Sequence, residues 1–362
     1  MSLISLGIKN FRILKEVDIT LSAGLNLVQG VNASGKTSLL EAIHFLGRAR
    51  SFRTPQISPL VTYGETFLWV GGQVRAGEGG GRRVSVTRHY DETRVEVAGQ
   101  AVRTLSELAR WLPVQVVDAE SHQLIVGGPR YRRRFMDWGV FHVEPSFHTH
   151  WQHFARSLKQ RNAVLRMRAT GTAIQAWDTT LDSAAQGIEA ARQRYIERLS
   201  ARLPHYVMET LGVSDLELRY ARGWPAERSY REVLRNSIDE DRAVGYTRYG
   251  PHRSDLMLYV GNVAAENRLS RGQQKLLVFA LVLTQAQMFN EATGRKGLLL
   301  VDDVFSELDK ENCDRVLRAL SLTRAQTFVT TVNPDSVSSV SVETWDAWSV
   351  FHVEHGRVYK VV

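Results

Sequence analysis

The stretch GVNASGKTS, Gly30 to Ser38, limits what this chain can fold into more than any other. It matches G-x-x-x-x-G-K-[ST]. The apolar run GLNLVQG leads into it, and KTSLLEAIHFLG follows with helical spacing at Leu39, Leu40, Ile43, Phe45 and Leu46, closed by Gly47. Glycines let such a loop curl so that successive N–H groups point inward at phosphate oxygens, and the helix N-terminus adds its dipole. Gly30, Asn32, Ala33, Ser34, Gly35, Lys36, Thr37 and Ser38 are therefore the candidate phosphate cradle. Lys36 is expected to reach the β- and γ-phosphates of a nucleoside triphosphate, and the Thr37 hydroxyl to ligate Mg²⁺.

A phosphate cradle needs a carboxylate partner for its metal. KGLLLVDDVF supplies one: a short apolar run, the pattern of a buried parallel strand, ends in Asp302 and Asp303. Two adjacent acids there are costly without a cation. Asp302 joins Thr37 as a candidate Mg²⁺ ligand, and Asp303 is placed to position or deprotonate an attacking water. Lys36, Asp302 and Asp303 form the candidate catalytic set. Aspartate is shorter than the glutamate often found at the second position, so slow hydrolysis is expected. Lys36 and Asp302 stand near opposite ends of the chain, so one nucleotide-binding lobe must close around a large insertion.

The pattern along the rest of the chain fits. LISLGIKNFRILKEVDITL alternates on either side of Asn10-Phe11-Arg12 and reads as two strands. Thr66 to Val97 reads as antiparallel strands with a turn at Asp91-Glu92 and a glycine-rich insert, Gly77 to Gly81. From Phe147 to Leu203 the period becomes helical: Ile174, Trp177, Leu181, Ala184, Ile188, Ala191, Tyr195 and Leu199 step by three or four. This predicts an antiparallel helix pair joined at RATGTA. Strand patterns return near Leu216 and Leu256.

LSRGQQK, Leu269 to Lys275, opens a strongly apolar helix pattern with polar residues, so its first turn is expected to face something polar. Ser270 and the first-turn N–H groups make a helix N-terminus ready for an anion, or a cap satisfied within one chain. The order GxNxSGKT, LSxGQ, hhhhDD, SELD resembles the ABC-type ATPases of the SMC class. Here those motifs are Gly30–Thr37, Leu269–Gln273, Leu299–Asp303 and Ser306–Asp309. The resemblance implies that Ser270, Gly272 and Gln273 cap ATP bound to a second copy in a head-to-tail dimer. Within that class the chain resembles the RecF family of bacterial recombination-mediator ATPases over nearly its whole length. IVGGPRYRRRFMDW (Ile125 to Trp138), LKQRNAVLR (Leu158 to Arg166) and YGPHRSDL (Tyr249 to Leu256) carry the likeness. It departs from the family at Ala119-Glu120, where Pro-Glu is usual, and TFVTTVNPD offers Thr330 and Thr331 where a histidine is often found. A phosphate-sensing loop is expected near Glu120 to Gln123.

The resemblance implies an α/β fold: an ABC-type P-loop ATPase head, split in sequence into 1–125 and 250–362, with an inserted helical-hairpin lobe at 126–249. It implies an ATP- and Mg²⁺-dependent homodimer on duplex or gapped DNA. With RecO and RecR it would promote RecA loading at single-stranded gaps, with weak, DNA-dependent ATP hydrolysis. The rival within the class is a structural SMC-like DNA clamp with little turnover, but the helix pair is too short for a long arm. A transporter ATPase subunit, the third reading, fits the basic middle lobe poorly.

Charge is consistent with DNA. The 362 residues carry a formal net charge of +8. Arg130, Arg132, Arg133 and Arg134 form the densest basic run, and Arg156, Lys159, Arg161, Arg166 and Arg168 follow. Arg130, Arg132, Arg133, Arg134, Lys159 and Arg161 are the candidate phosphate contacts on DNA, since such contacts need only cationic donors on one surface. Arg133 has an alternative partner in Asp137, one turn on. Arg50 and Arg53 are candidates for DNA or a partner subunit, and Arg12 for the nucleotide phosphates. His142, His148, His150 and His153 cluster without a metal-ligand pattern. The single cysteine, Cys313, excludes an internal disulfide and is expected to be buried. No apolar run long enough for a membrane span and no leader pattern is present, so a cytoplasmic location is expected.

Overall fold

The hairpin expected around Asn10-Phe11-Arg12 forms: β1 (Ser2–Phe11) pairs antiparallel with β2 (Leu14–Thr20). β3 (Leu25–Gln29) then leads through the phosphate loop into α1 (Lys36–Arg48). β4 (Phe67–Arg75), β5 (Arg82–His89), β6 (Glu92–Val97) and β7 (Gln100–Ala101) extend the first sheet in the order β2-β1-β4-β5-β6-β7. α2 (Leu105–Trp111) and β8 (Val114–Val117) follow. The computed structural model describes residues 1–75, 80–90, 92–167, 171–303, 305, 308–332 and 344–362. Gly77 to Gly79, Asp91, Arg168, Ser306, Glu307 and the Asn333-Pro334-Asp335 end of TFVTTVNPD lie outside the described residues.

Next come α3 (Gln123–Val126), α4 (Pro129–Val143), α5 (Phe147–Arg166), α6 (Gly171–Gln175) and α7 (Asp178–Leu211). β9 (Leu216–Ala221), α8 (Tyr230–Asn236), α9 (Ile238–Val244), β10 (Asp255–Val260), β11 (Val263–Ala264) and α10 (Ala265–Arg268) follow. α11 (Arg271–Thr293), β12 (Leu298–Val301), α12 (Lys310–Leu322), β13 (Gln326–Thr331), β14 (Trp348–Glu354) and β15 (Arg357–Lys360) complete the order. The helix pair is present, but α7 runs past the expected end at Leu203, through Pro204, to Leu211.

The chain forms two compact units. A terminal unit comprises Met1–Ser121, Glu209–Gly212 and Lys275–Val362; an inserted unit comprises His122–Met208 and Val213–Gln274. Residues 250–274, expected with the ATPase lobe, belong to the inserted unit. β10 pairs along its length with β9, and Asp255 and Ser254 bind side chains from α4 and α7.

In the terminal unit, α1 lies between two sheets. One is the antiparallel β1–β7 sheet. The other has the order β15-β14-β3-β13-β12-β8, in which β14, β3, β13, β12 and β8 run parallel. Leu39, Leu40, Ile43, Phe45 and Leu46 are each at most 1% exposed, and Glu41 and His44 are buried as well, so the helix is covered all round. Gly47 does not close it. The helix continues to Arg48, and Ala49 caps it in the left-handed region at φ 48°. A Cβ on Gly47 would lie 2.7 Å from the Leu112 carbonyl oxygen, so glycine there permits close packing.

The inserted unit is built around buried arginines. Arg161 on α5 is 0% exposed; its guanidinium donates to Asp178 at 3.0 Å, Asp241 at 2.7 Å and Thr247 at 2.8 Å. Arg192 on α7, also 0% exposed, donates to Asp137 at 2.9 and 3.0 Å, to the Pro251 carbonyl and to Ser254. These pairs tie α4, α5, α7 and α9 to the segment before β10. Removing one member leaves an uncompensated buried charge, at a cost of about 3–5 kcal/mol. Arg161→Leu is therefore expected to lower the thermal midpoint of the inserted unit by many degrees; an unchanged melting curve contradicts its framework role.

Candidate nucleotide site

Five parallel strands bring their C-terminal ends to one edge of the sheet, and the site is built there. β3 ends in the phosphate loop, β12 in Asp302, and β13 in Thr330 and Thr331. Thr37 Oγ1 donates to Asp302 Oδ1 at 3.1 Å, and Thr330 Oγ1 donates to the same oxygen at 2.9 Å. Thr330 Oγ1 also accepts the Asp303 N–H at 2.8 Å, while the Asp302 N–H donates to the Val117 carbonyl at 2.8 Å. Asp302 is 8% exposed, and burial pushes its carboxyl up from the ordinary carboxylate value against the pull of the two hydroxyls. Asp303 takes φ 51°, a left-handed conformation that aspartate and asparagine adopt more readily than other non-glycine residues.

The candidate cradle residues form the loop between β3 and α1 and the first turn of that helix. Ala33 has φ 63° and Gly35 φ 120°. Lys36 is 7% exposed; its ammonium donates to the carbonyls of Gly30 at 2.8 Å and Val31 at 2.9 Å. Burial lowers its pKa, and Asp303 and Asp302 oppose that shift. Asn32 and Ala33 are exposed at the tip, and Ser38 is buried at the start of α1. Ser34 Oγ is buried and has no hydrogen-bond partner among the described residues. The Thr37 hydroxyl and the Asp302 carboxylate, in hydrogen-bond contact, are hard oxygen donors of the kind Mg²⁺ selects. The residues present fit that cation.

A brace from the far end of the chain holds the loop, and nothing in the sequence pointed to it. β14 and β15 are joined by His355 and Gly356, both at positive φ (47° and 75°), the two-residue turn that right-twisted strands favour. The Gly356 N–H donates to the Ser34 carbonyl at 3.0 Å. A Cβ on Gly356 would lie 2.2 Å from the Ile13 carbonyl oxygen, and one on Gly30 2.3 Å from the Val353 carbonyl oxygen. Arg12 is engaged elsewhere: it makes a two-pronged contact with the buried Glu41 of α1 at 2.9 Å. Ser51 Oγ also binds Glu41, and Arg53 lies 3.9 Å from it. In the expected sensor loop, Ala119 to His122 form a short 3₁₀ turn with Glu120 exposed. Ser121 bonds Asp118, which directly follows β8, the strand paired with β12.

In the inserted unit, Ser270 and Gln273 cap the start of α11 reciprocally. The Gln273 N–H donates to Ser270 Oγ at 3.3 Å, and the Ser270 N–H donates to Gln273 Oε1 at 3.0 Å. Ser270, Arg271 and Gln273 are exposed. A Cβ on Gly272 would meet nothing within 4 Å among the described residues. The fold of this chain therefore does not require glycine there, and glycine in a helix costs up to about 1 kcal/mol relative to alanine.

The basic run divides by helix face. Arg130 and Arg134 of α4 and Arg156, Lys159 and Arg166 of α5 are exposed. Arg132 is not a free surface cation: it grips Asp255 at 2.7 and 3.0 Å and donates to the Gly127 carbonyl. Arg133 donates to the Ser254 carbonyl at 2.6 Å, and its expected partner Asp137 belongs to Arg192 instead. Arg161 is fully enclosed and has no surface to offer a phosphate. Among the described residues no group of three or more histidines, cysteines and acids is arranged to hold a metal ion. Cys313 is buried in α12, where burial pushes its thiol up to about 11. Among the described residues no helix is long and apolar enough to cross a membrane.

A phosphate loop, a strand-end carboxylate held by its threonine, and an α/β head split in sequence define an ABC-type P-loop ATPase. The RecF/RecN/SMC N terminal domain model matches residues 2–357. The DNA replication and repair protein RecF of Thioalkalivibrio sulfidiphilus (strain HL-EbGR7) is 41% identical over 360 residues, 99% of either chain. Its counterpart in Stutzerimonas stutzeri (strain A1501) is 41% identical over 363 residues, 99% of this chain and 97% of the relative. A solved structure of the recombination mediator protein RecF-ATP in the RecFOR pathway aligns at TM-score 0.88 and 26% identity, covering 99% of this chain and 97% of that one. An Smc head bound to the C-winged helix domain of ScpA aligns at TM-score 0.61 and 17% identity, a likeness of fold alone. The chain belongs to the RecF/RecN/SMC family and, within it, to the RecF proteins.

The brace gives a prediction that needs no ligand. Gly356→Val places a branched side chain at φ 75° against the Ile13 carbonyl. Amide hydrogen exchange at Gly30 to Gly35 is expected to rise well above that of the unaltered protein, while exchange in the β9–β10 pair stays as it was. Equal protection of the loop in both proteins contradicts the brace.

Proposed function

We propose that the chain binds ATP with Mg²⁺ and uses slow hydrolysis to switch a DNA-bound dimer. The observation that carries this reading is the contact between the Thr37 hydroxyl and the Asp302 carboxylate, which joins the phosphate loop to the acidic strand end. Lys36, drawn to the cradle carbonyls, reaches the β- and γ-phosphates, and the N–H groups of the loop take the phosphate oxygens. Thr37 and Asp302 hold Mg²⁺, which when bound neutralises phosphate charge. Asp303, fixed through its N–H to Thr330, positions the attacking water.

Ser270, Gly272 and Gln273 serve the nucleotide of a second copy. The open space over Gly272 and the exposure of Ser270 and Gln273 support this, because apart from the glycine's neighbours on its own helix nothing among the described residues lies within 4 Å of a Cβ there. The reciprocal cap keeps the turn ordered before the dimer forms. Exposed Arg130, Arg134 and Lys159 contact DNA phosphates, while Arg132, Arg133 and Arg161 hold the framework that displays them. In this reading the chain acts with RecO and RecR to promote RecA loading at gaps; the RecF relatives and the RecFOR-pathway structure support its repair and recombination-mediator part.

Two tests separate the parts. Ser270→Arg is expected to retain ATP binding, measured by titration calorimetry, and to lose the ATP-dependent dimer, measured by light scattering. Loss of ATP affinity in a protein whose oligomeric state is unchanged would put Ser270 in its own chain's site. Arg130→Glu combined with Arg134→Glu is expected to reduce the log–log salt slope of DNA binding by about 0.9 for each phosphate no longer neutralised. An unchanged slope moves the DNA surface off α4.

A further inference from the structure

The inserted unit contains an open cavity of about 760 Å³ that neither nucleotide nor DNA binding uses. Ile196 of α7, Trp224, Pro225 and Tyr249 supply its apolar lining. Glu189, Gln193 and Glu197 form a polar wall, spaced four apart and therefore in one stripe along α7.

The charge of this wall is only partly offset by its neighbours: burial pushes the Glu189 carboxyl up, and the Tyr220 hydroxyl, Arg192 and Arg222 pull it back down. Arg192 is committed to Asp137, and Arg194 and Arg198 to Glu144. Arg222, at the rim, lies over the Trp224 ring at 4.8 Å and donates to the carbonyls of Pro225 and Arg228. Glu189 has the Tyr220 hydroxyl at 2.8 Å and no cation in contact among the described residues, and Glu197 is exposed. The cavity is thus an apolar hollow with an acidic edge on a chain of net charge +8. Such an edge repels a phosphodiester and attracts a cation.

The hollow is also pre-formed. Trp224 is 8% exposed and is packed on Tyr230 at 4.9 Å, so it has little rotamer freedom left to lose on binding. Its volume falls in the range of about 300–1,000 Å³ typical of sites that enclose a compact group. From this complementarity we infer that the cavity docks a segment of a partner protein in which an apolar side chain enters the hollow and an adjacent lysine or arginine meets Glu189 and Glu197. The inference is independent of the nucleotide and DNA assignments.

The test uses the full chain and fluorescein-labelled heptapeptides read by anisotropy. The probe is Gly-Ser-Leu-Arg-Lys-Ser-Gly; one control replaces the two basic residues by glutamate, and another replaces leucine by serine. The basic apolar peptide is expected to bind, with each control at least about tenfold weaker. Glu197→Lys, at an exposed position that does not threaten folding, is expected to weaken the probe by a similar factor, and Ile196→Ser more modestly. Glu197→Lys should keep the melting curve of the unaltered protein, whereas Ile196→Ser, at a side chain 7% exposed, is expected to lower it. Three outcomes overturn the inference: equal binding of the acidic control, binding insensitive to Glu197→Lys, or displacement of the probe by an equimolar single-stranded oligonucleotide. Loss of probe binding on self-association of the protein would assign the hollow to a second copy and overturn it equally.

Discussion

The Asp302 carboxylate is the point on which the terminal unit turns. One of its oxygens accepts both Thr37, at the start of α1, and Thr330, at the end of β13. A carboxylate this enclosed is unfavourable unless hydrogen-bonded or paired, and two hydroxyls only partly offset its burial. The same environment suits a hard divalent cation. Parallel strand order explains how it arises: β3, β13, β12 and β8 are neighbours, so residues from opposite ends of the chain emerge side by side.

This geometry also explains the insertion. The sheet needs β8 beside β12, yet everything from α3 to α11 separates them in sequence. The inserted unit can therefore be elaborate without disturbing the site, provided it has a framework of its own. Arg161 and Arg192 supply part of one, alongside buried apolar side chains such as Phe154, Leu165, Leu181, Ile188 and Leu199. Each guanidinium offers five fixed donors, so a single side chain can fix several segments at once.

Much of the terminal unit was legible in the sequence because motif and period agree there. Alternation gave β1 and β2, helical spacing gave α1, and the apolar run before Asp302 gave β12. What could not be read depended on long-range packing. Gly47 looks like a helix stop and is a contact point with Leu112. Pro204 looks like a helix end and lies inside α7. Thr330 was visible, but its grip on Asp302 and Asp303 exists only once β13 lies beside β12. The hairpin at His355-Gly356 carries no sign that it braces a loop more than three hundred residues away. Among the arginines, sequence shows charge density and not direction. Arg130 and Arg134 face outward, while Arg132 in the same run faces Asp255.

The decisive experiment is the Mg²⁺ dependence of ATP affinity in Asp302→Asn compared with the unaltered protein, by titration calorimetry in Mg²⁺ and in EDTA. Asparagine keeps the size and an acceptor for Thr37 and Thr330 but removes the charge. The unaltered protein is expected to bind ATP much more tightly with Mg²⁺ than without, and Asp302→Asn to bind it weakly and almost equally in both. A variant that retains the full Mg²⁺ enhancement would show that the cation is held elsewhere, and that the Thr37–Asp302–Thr330 contact is structural alone.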